Sequence, residues 1–187
     1  PAPETTRAAP AAPAAPPGVW VRAGGKVLVS DDEVTATVMA EGLGNVFASR
    51  ALSAARPWCE FEIVSWGGGR VGVSEADHGC PADVAGDDGV AEWSDARGWA
   101  VGDGGVRRKG KMVRKLKELT LEAGDRVRVA HDAATKLLTW AVNGEPVDKL
   151  TVRDVAGPVT PSATLAQMST VKLAFPAAAG APAAAPP

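Results

Sequence analysis

Apolar and polar residues alternate along most of this chain with the two-residue period of β-strands. The clearest stretches are KVLVS (26–30), VTATVM (34–39), CEFEIVSW (59–66), RVGVSEA (70–76), DRVRVAHD (125–132), LLTWAVN (137–143) and TVKLAF (170–175). They are short, rich in Val, Thr and aromatics, and bounded by Gly, Pro, Asp or Asn, which predicts an all-β sandwich or barrel. In CEFEIVSW the alternation puts Cys59, Phe61 and Ile63 on one face and Glu60 and Glu62 on the other, so Cys59 is read as core rather than nucleophile. Leu138, Trp140 and Val142 alternate into Asn143-Gly144, the residue pair that most strongly signals a two-residue hairpin. KMVRKLKEL (111–119) fits helical and strand spacing equally and is expected to be a loop with a short turn or strand.

Composition narrows the folding unit. Thirteen of the first 17 residues are Pro or Ala, and residues 176–187 contain no other residue type except Gly180. Such segments carry no large apolar side chains to offset the entropy of ordering. Residues 1–17 and 176–187 are therefore read as linkers around one domain, 18–175, cut from a larger multidomain protein. No run of about 18 apolar residues suggests a membrane span. The net charge of −2 argues against strong non-specific attraction to nucleic acid. Cys59 and Cys80 make neither a disulfide framework nor a metal knuckle, and an intracellular compartment is expected.

From Gly124 the sequence reads GDRVRVAHDAATKLLTWAVNGEPV. The order Gly124-Asp125, Val127, Val129, Asp132, Leu138, Trp140, Val142, Asn143-Gly144 resembles the hairpin signature of SPRY domains. ARPWCEFEIVSWGGGRVGVSEA is similar to that family's core strands through Arg56, Trp58, Glu60, Glu62 and Val71-Gly72-Val73. RGWAV resembles its Ser-Trp segment at Trp99, and VTPSATLAQMSTVKLAF its ending at Pro161 and Phe175. Two positions depart from the pattern: Arg128 and Lys136 stand where the family usually has Gly. If the turn at Lys136 is left-handed, lysine there costs on the order of 1 kcal/mol.

The resemblance implies two antiparallel sheets packed as a bent, concanavalin-type β-sandwich, and a monomeric, non-enzymatic module that presents loops and a shallow face to a peptide or protein partner. Family motifs place the partner-binding positions at Arg50, Ser74, Glu75, Val90, Trp93, Gln167 and Met168. Trp58, Trp99 and Trp140 are expected in the core, with Trp20 sealing its edge. Two other functions share the sandwich: a carbohydrate-binding lectin, and an RNA-contacting module using the seven basic residues of RRKGKMVRKLK (107–117). A lectin wants a calcium site or an aromatic platform with Asn or Asp, and the chain has only two asparagines. The run could meet RNA, an acidic peptide or an anionic lipid, but with Glu118 and Glu122 close behind it and no aromatics interleaved as RNA binding wants, it is read as a solvated segment. EADHGC (75–80) and ADVAGDDG (82–89) lack the spacing of zinc or calcium sites, and His131 beside Asp132 lacks a nucleophile. No metal, cofactor or catalytic residue is expected.

Overall fold

The computed structural model describes residues 19–23, 27–75, 98–108 and 111–176. These contain fourteen strands: β1 (Trp20–Ala23), β2 (Val27–Val29), β3 (Thr35–Val38), β4 (Leu43–Ala48), β5 (Trp58–Ser65), β6 (Gly69–Glu75), β7 (Gly98–Gly102), β8 (Gly105–Arg108), β9 (Lys111–Lys115), β10 (Arg126–Asp132), β11 (Leu137–Val142), β12 (Glu145–Pro146), β13 (Val159–Ala166) and β14 (Ser169–Ala174). They form two seven-stranded sheets, in the orders β1-β4-β13-β6-β7-β8-β9 and β12-β11-β10-β5-β14-β3-β2. All the strand pairs are antiparallel, so the expected two-sheet sandwich is present. The linkers expected at the two ends lie almost wholly outside the described residues.

The seven strands read from alternation all occur, at β2, β3, β5, β6, β10, β11 and β14. Cys59, Phe61, Ile63, Val127, Val129, Leu138, Trp140, Val171 and Leu173 point inward from the second sheet, against Val46, Val71, Val73, Trp99, Val101, Ala163 and Leu165 of the first. Trp20 is 3% exposed and stacks on Phe61 with ring centroids 6.1 Å apart, closing the core as expected. KMVRK is a strand, β9, and the chain turns after it so that the Leu119 N–H donates to the Leu116 carbonyl.

Trp58 does not fill the core. It is half-buried on the outer face of the second sheet, because Cys59 faces inward and its neighbour must face outward. The Arg128 guanidinium lies 4.3 Å above its ring and donates to Glu60 Oε2 from Nε (3.3 Å) and Nη2 (3.0 Å). Arg126 reaches Glu60 Oε1 at 3.3 Å. The departure at Arg128 is thus explained: an outward position that glycine would leave bare carries a cation shared between an indole face and a carboxylate.

Two turns fix the register of the β10–β11 and β11–β12 hairpins. Asn143 (φ 54°) and Gly144 (φ 86°) both adopt positive φ, the primed turn that suits the twist of the flanking strands. Asn143 Oδ1 accepts the Arg126 N–H at 2.9 Å, and Nδ2 donates to Asp125 Oδ1 at 2.8 Å. The Gly-Asp and Asn-Gly ends of the motif therefore lock each other, although 18 residues separate Asp125 from Asn143. Lys136 has φ 55° in the β10–β11 turn and is exposed. Replacing it with glycine should relieve the left-handed strain and raise stability by about 1 kcal/mol, even after the larger chain entropy of glycine. The urea midpoint should rise with an unchanged m-value; a lower midpoint would refute the strain.

Candidate functional site

Antiparallel pairing decides which candidate residues can meet. Glu75 at the end of β6 pairs with Val159 at the start of β13, whereas Gly69 at the start of β6 pairs with Leu165 near the end of β13. The Gln167–Met168 turn follows β13 directly, so it lies at the opposite end of the sheet from Ser74 and Glu75. Six residue steps of about 3.3 Å put these ends roughly 20 Å apart. Arg50 sits with Glu75, because the Leu52 N–H donates to the Val159 carbonyl at 2.7 Å. The candidates form two groups rather than one face. Val90 and Trp93 lie outside the described residues.

At the Met168 end the backbone is tightly held. The Met168 N–H donates to the Val38 carbonyl at 2.7 Å, and the Ser65 hydroxyl donates to the Met168 carbonyl at 2.8 Å. Ser169 Oγ accepts the Gly67 N–H and donates to the Gly68 carbonyl. The result is a left-handed Met168 (φ 65°) whose side chain is 60% exposed beside an exposed Gln167.

The Glu75 end is richer. Ser74 is 1% exposed, with its hydroxyl 3.4 Å from the Thr160 carbonyl, so it supports the strand and presents nothing outward. Glu75 is bound by Arg108 at 3.1 Å, and the Arg108 guanidinium stacks 4.3 Å from the buried Trp99 ring. Beside this cluster the loop from Leu52 to Pro57, the β10–β11 hairpin and the Gly157–Pro158 corner surround a largely apolar groove of about 970 Å³. Ala54, Ala133 and Ala134 are exposed on its walls, Leu52 is buried beneath it, and His131 and Asp132 supply polar edges.

Local hydrogen bonds shape these walls. Ser53 and Arg56 exchange both backbone bonds, which folds the 52–57 loop back on itself. The His131 N–H donates to the Pro57 carbonyl at 2.8 Å, and its Nε2 lies 3.2 Å from the Val155 carbonyl, so the ring is packed in place. The Thr135 hydroxyl and the Thr135 and Ala134 N–H groups hold the Asp132 carboxyl below its ordinary pKa, leaving a fixed negative charge at the rim. Burial pushes the Cys59 thiol well up, which makes it inert as a nucleophile. Among the described residues no group of three or more His, Cys, Asp and Glu is arranged to hold a metal ion.

The sequence did not expose this groove, because Ala, Pro, Gly and Ser on three separate loops carry no periodic signal. LSAARP and GP mark loops, and the Leu52 N–H to Val159 carbonyl bond is one contact that brings them together.

No protein-family model matches the sequence, and no curated protein matches it. Solved structures do. The SPRY domain of human HERC1 is 22% identical with a TM-score of 0.62, covering 80% of this chain and 92% of that one. A human SPRY domain is 17% identical with a TM-score of 0.61, covering 80% and 95%. The TRIM65 PSpry domain is 14% identical with a TM-score of 0.64, covering 84% and 88%. The chain therefore has a SPRY-like fold, a β-sandwich of two antiparallel sheets. No helix among its described residues is long and apolar enough to cross a membrane.

Proposed function

We propose that this SPRY-like sandwich is a non-enzymatic interaction module that binds a short peptide or a partner surface at its Glu75 end. The observation that carries this reading is the groove of about 970 Å³, which sits at the same end as Arg50 and Glu75 and has the size and apolar lining of a ligand site. Its small side chains leave room for a partner's larger apolar anchors, while Arg50, Glu75 and Asp132 set the charge around them. The connection carrying Val90 and Trp93 leaves the sheet at Glu75 and rejoins it at Gly98, which pairs with Ser74. Val90 and Trp93 lie outside the described residues and are proposed as partner contacts from the sequence resemblance alone. The inert Cys59 and the packed His131 favour binding over chemistry.

The test fills the groove. Ala54→Arg with Ala134→Arg places two guanidinium arms on exposed walls without touching the core, and should weaken capture of partners by the full chain at least about tenfold, some 1.4 kcal/mol. Met168→Ala should leave capture unchanged. If the arginine pair has no effect and Met168→Ala abolishes capture, the binding surface is at the other end of the sandwich.

A further inference from the structure

We propose that the β8–β9 hairpin is a second interaction surface, an edge that takes an extended acidic segment of a partner protein. β9 is the last strand of its sheet, so among the described residues one side of its backbone has no strand neighbour, although the short helical turn Asp148–Leu150 packs near it. Residues 107–117 hold seven basic residues and no acidic one in a chain of net charge −2, which leaves −9 on the remainder once those seven are set aside. The run thus carries the opposite sign to the rest of the chain taken together.

Arg108 of β8 is paired with Glu75, but the lysines of β9 have no such acidic partner among the described residues. Arg126 and Arg128 share Glu60, and Lys149 lies 3.8 Å from Glu118. On β9, Lys111 and Lys115 are exposed and form no ion pair among the described residues, and Lys117 just beyond it is the same. The Arg114 guanidinium donates to the carbonyls of Thr151 (2.8 Å) and Val113 (3.1 Å), which hold its position without cancelling its charge.

Edge lysines and bulges protect against indiscriminate strand pairing, and β9 has both, its register to β8 shifting between Val106 and Arg107. The same features choose the partner. A second copy of β9 would bring lysine against lysine, and an uncharged strand would gain no charge pairing. An acidic extended segment gains ion pairs with Lys111, Lys115 and Lys117 along with whatever backbone bonds the bulge permits. Nucleic acid is disfavoured because the aromatic beside these charges, Trp99, is 3% exposed beneath Arg108 and cannot stack on a base.

The test titrates the full chain into a fluorescein-labelled peptide of alternating aspartate and valine, reading anisotropy at low and physiological salt. Peptides of alternating serine and valine and a short single-stranded RNA serve as comparisons. The acidic peptide should bind on the order of tenfold tighter than the serine peptide and weaken as salt rises. Combined Lys111→Glu, Lys115→Glu and Lys117→Glu should cut that affinity on the order of tenfold with an unchanged circular dichroism spectrum, and the matching triple glutamine variant should lose less. The Met168→Ala and Ala54→Arg/Ala134→Arg variants should bind the acidic peptide like the parent chain, which separates this surface from the groove. Equal binding of the serine peptide, full affinity in the triple glutamate variant, or RNA bound as tightly as the acidic peptide would each overturn the proposal.

Discussion

Trp140→Ala is expected to cost about 3–5 kcal/mol, while Trp140→Phe should cost far less. Trp140 is 3% exposed, opposite Val129 across the β10–β11 ladder and on the inner face with Leu138. Alanine would leave a large void in a core that cannot collapse, since β11 is held by β10 on one side and β12 on the other. The indole N–H, however, has no hydrogen-bond partner in its buried position. Phenylalanine removes that unsatisfied donor, and the gain offsets part of the lost contact. Urea unfolding of the two variants measures the contrast. If Phe and Ala cost the same, the indole N–H is satisfied in solution.

Gly72→Ala is the second large effect, expected to destabilise by about 3 kcal/mol through overpacking. A Cβ on Gly72 would stand 2.1 Å from the Trp99 carbonyl oxygen and 2.7 Å from Ala100 Cα. Both are backbone atoms of β7, so no side chain can swing away. β6 is also paired on its other side with β13, where Ser162 faces Gly72, so the strand cannot retreat. Relief requires β7 to move, and β7 carries Trp99 and Val101 into the core. Thermal unfolding should drop by about 6–12 °C for a domain of this size. A shift within about 2 °C would mean that the β6–β7 spacing is softer than its geometry implies.

Strands with one wet face were legible from the sequence. Cys59, Phe61 and Ile63 alternate with polar residues because β5 is buried on one side, and the same holds for β10, β11 and β14. β4 and β13 were not read as strands, for the opposite reason. Leu43–Ala48 and Val159–Ala166 are buried on both faces for most of their length, so small polar residues such as Asn45, Ser162 and Thr164 sit inside and erase the alternation. Thr164 Oγ1 donates to Asn45 Oδ1 at 2.6 Å, and this kind of bond lets such residues be buried. Pro161 further disguised β13; its ladder to β4 stops at Ser162, one residue short of a proline that has no N–H to continue it.

The sequence by itself determined local geometry: the period of two, the primed turn at Asn143-Gly144, the inward set of each half-exposed strand, and a motif order similar to SPRY domains. These depend on residues close in the chain, whose preferences act without the rest of the fold. Only the tertiary structure decided that Arg50 and Glu75 share one end with a groove while Gln167 and Met168 occupy the other, that Trp58 faces Arg128 rather than the core, and that the cations of β9 lie on the last described strand of its sheet. Each of these rests on which strands become neighbours across long stretches of chain, and that is set by how two sheets jointly bury their apolar faces rather than by any local pattern.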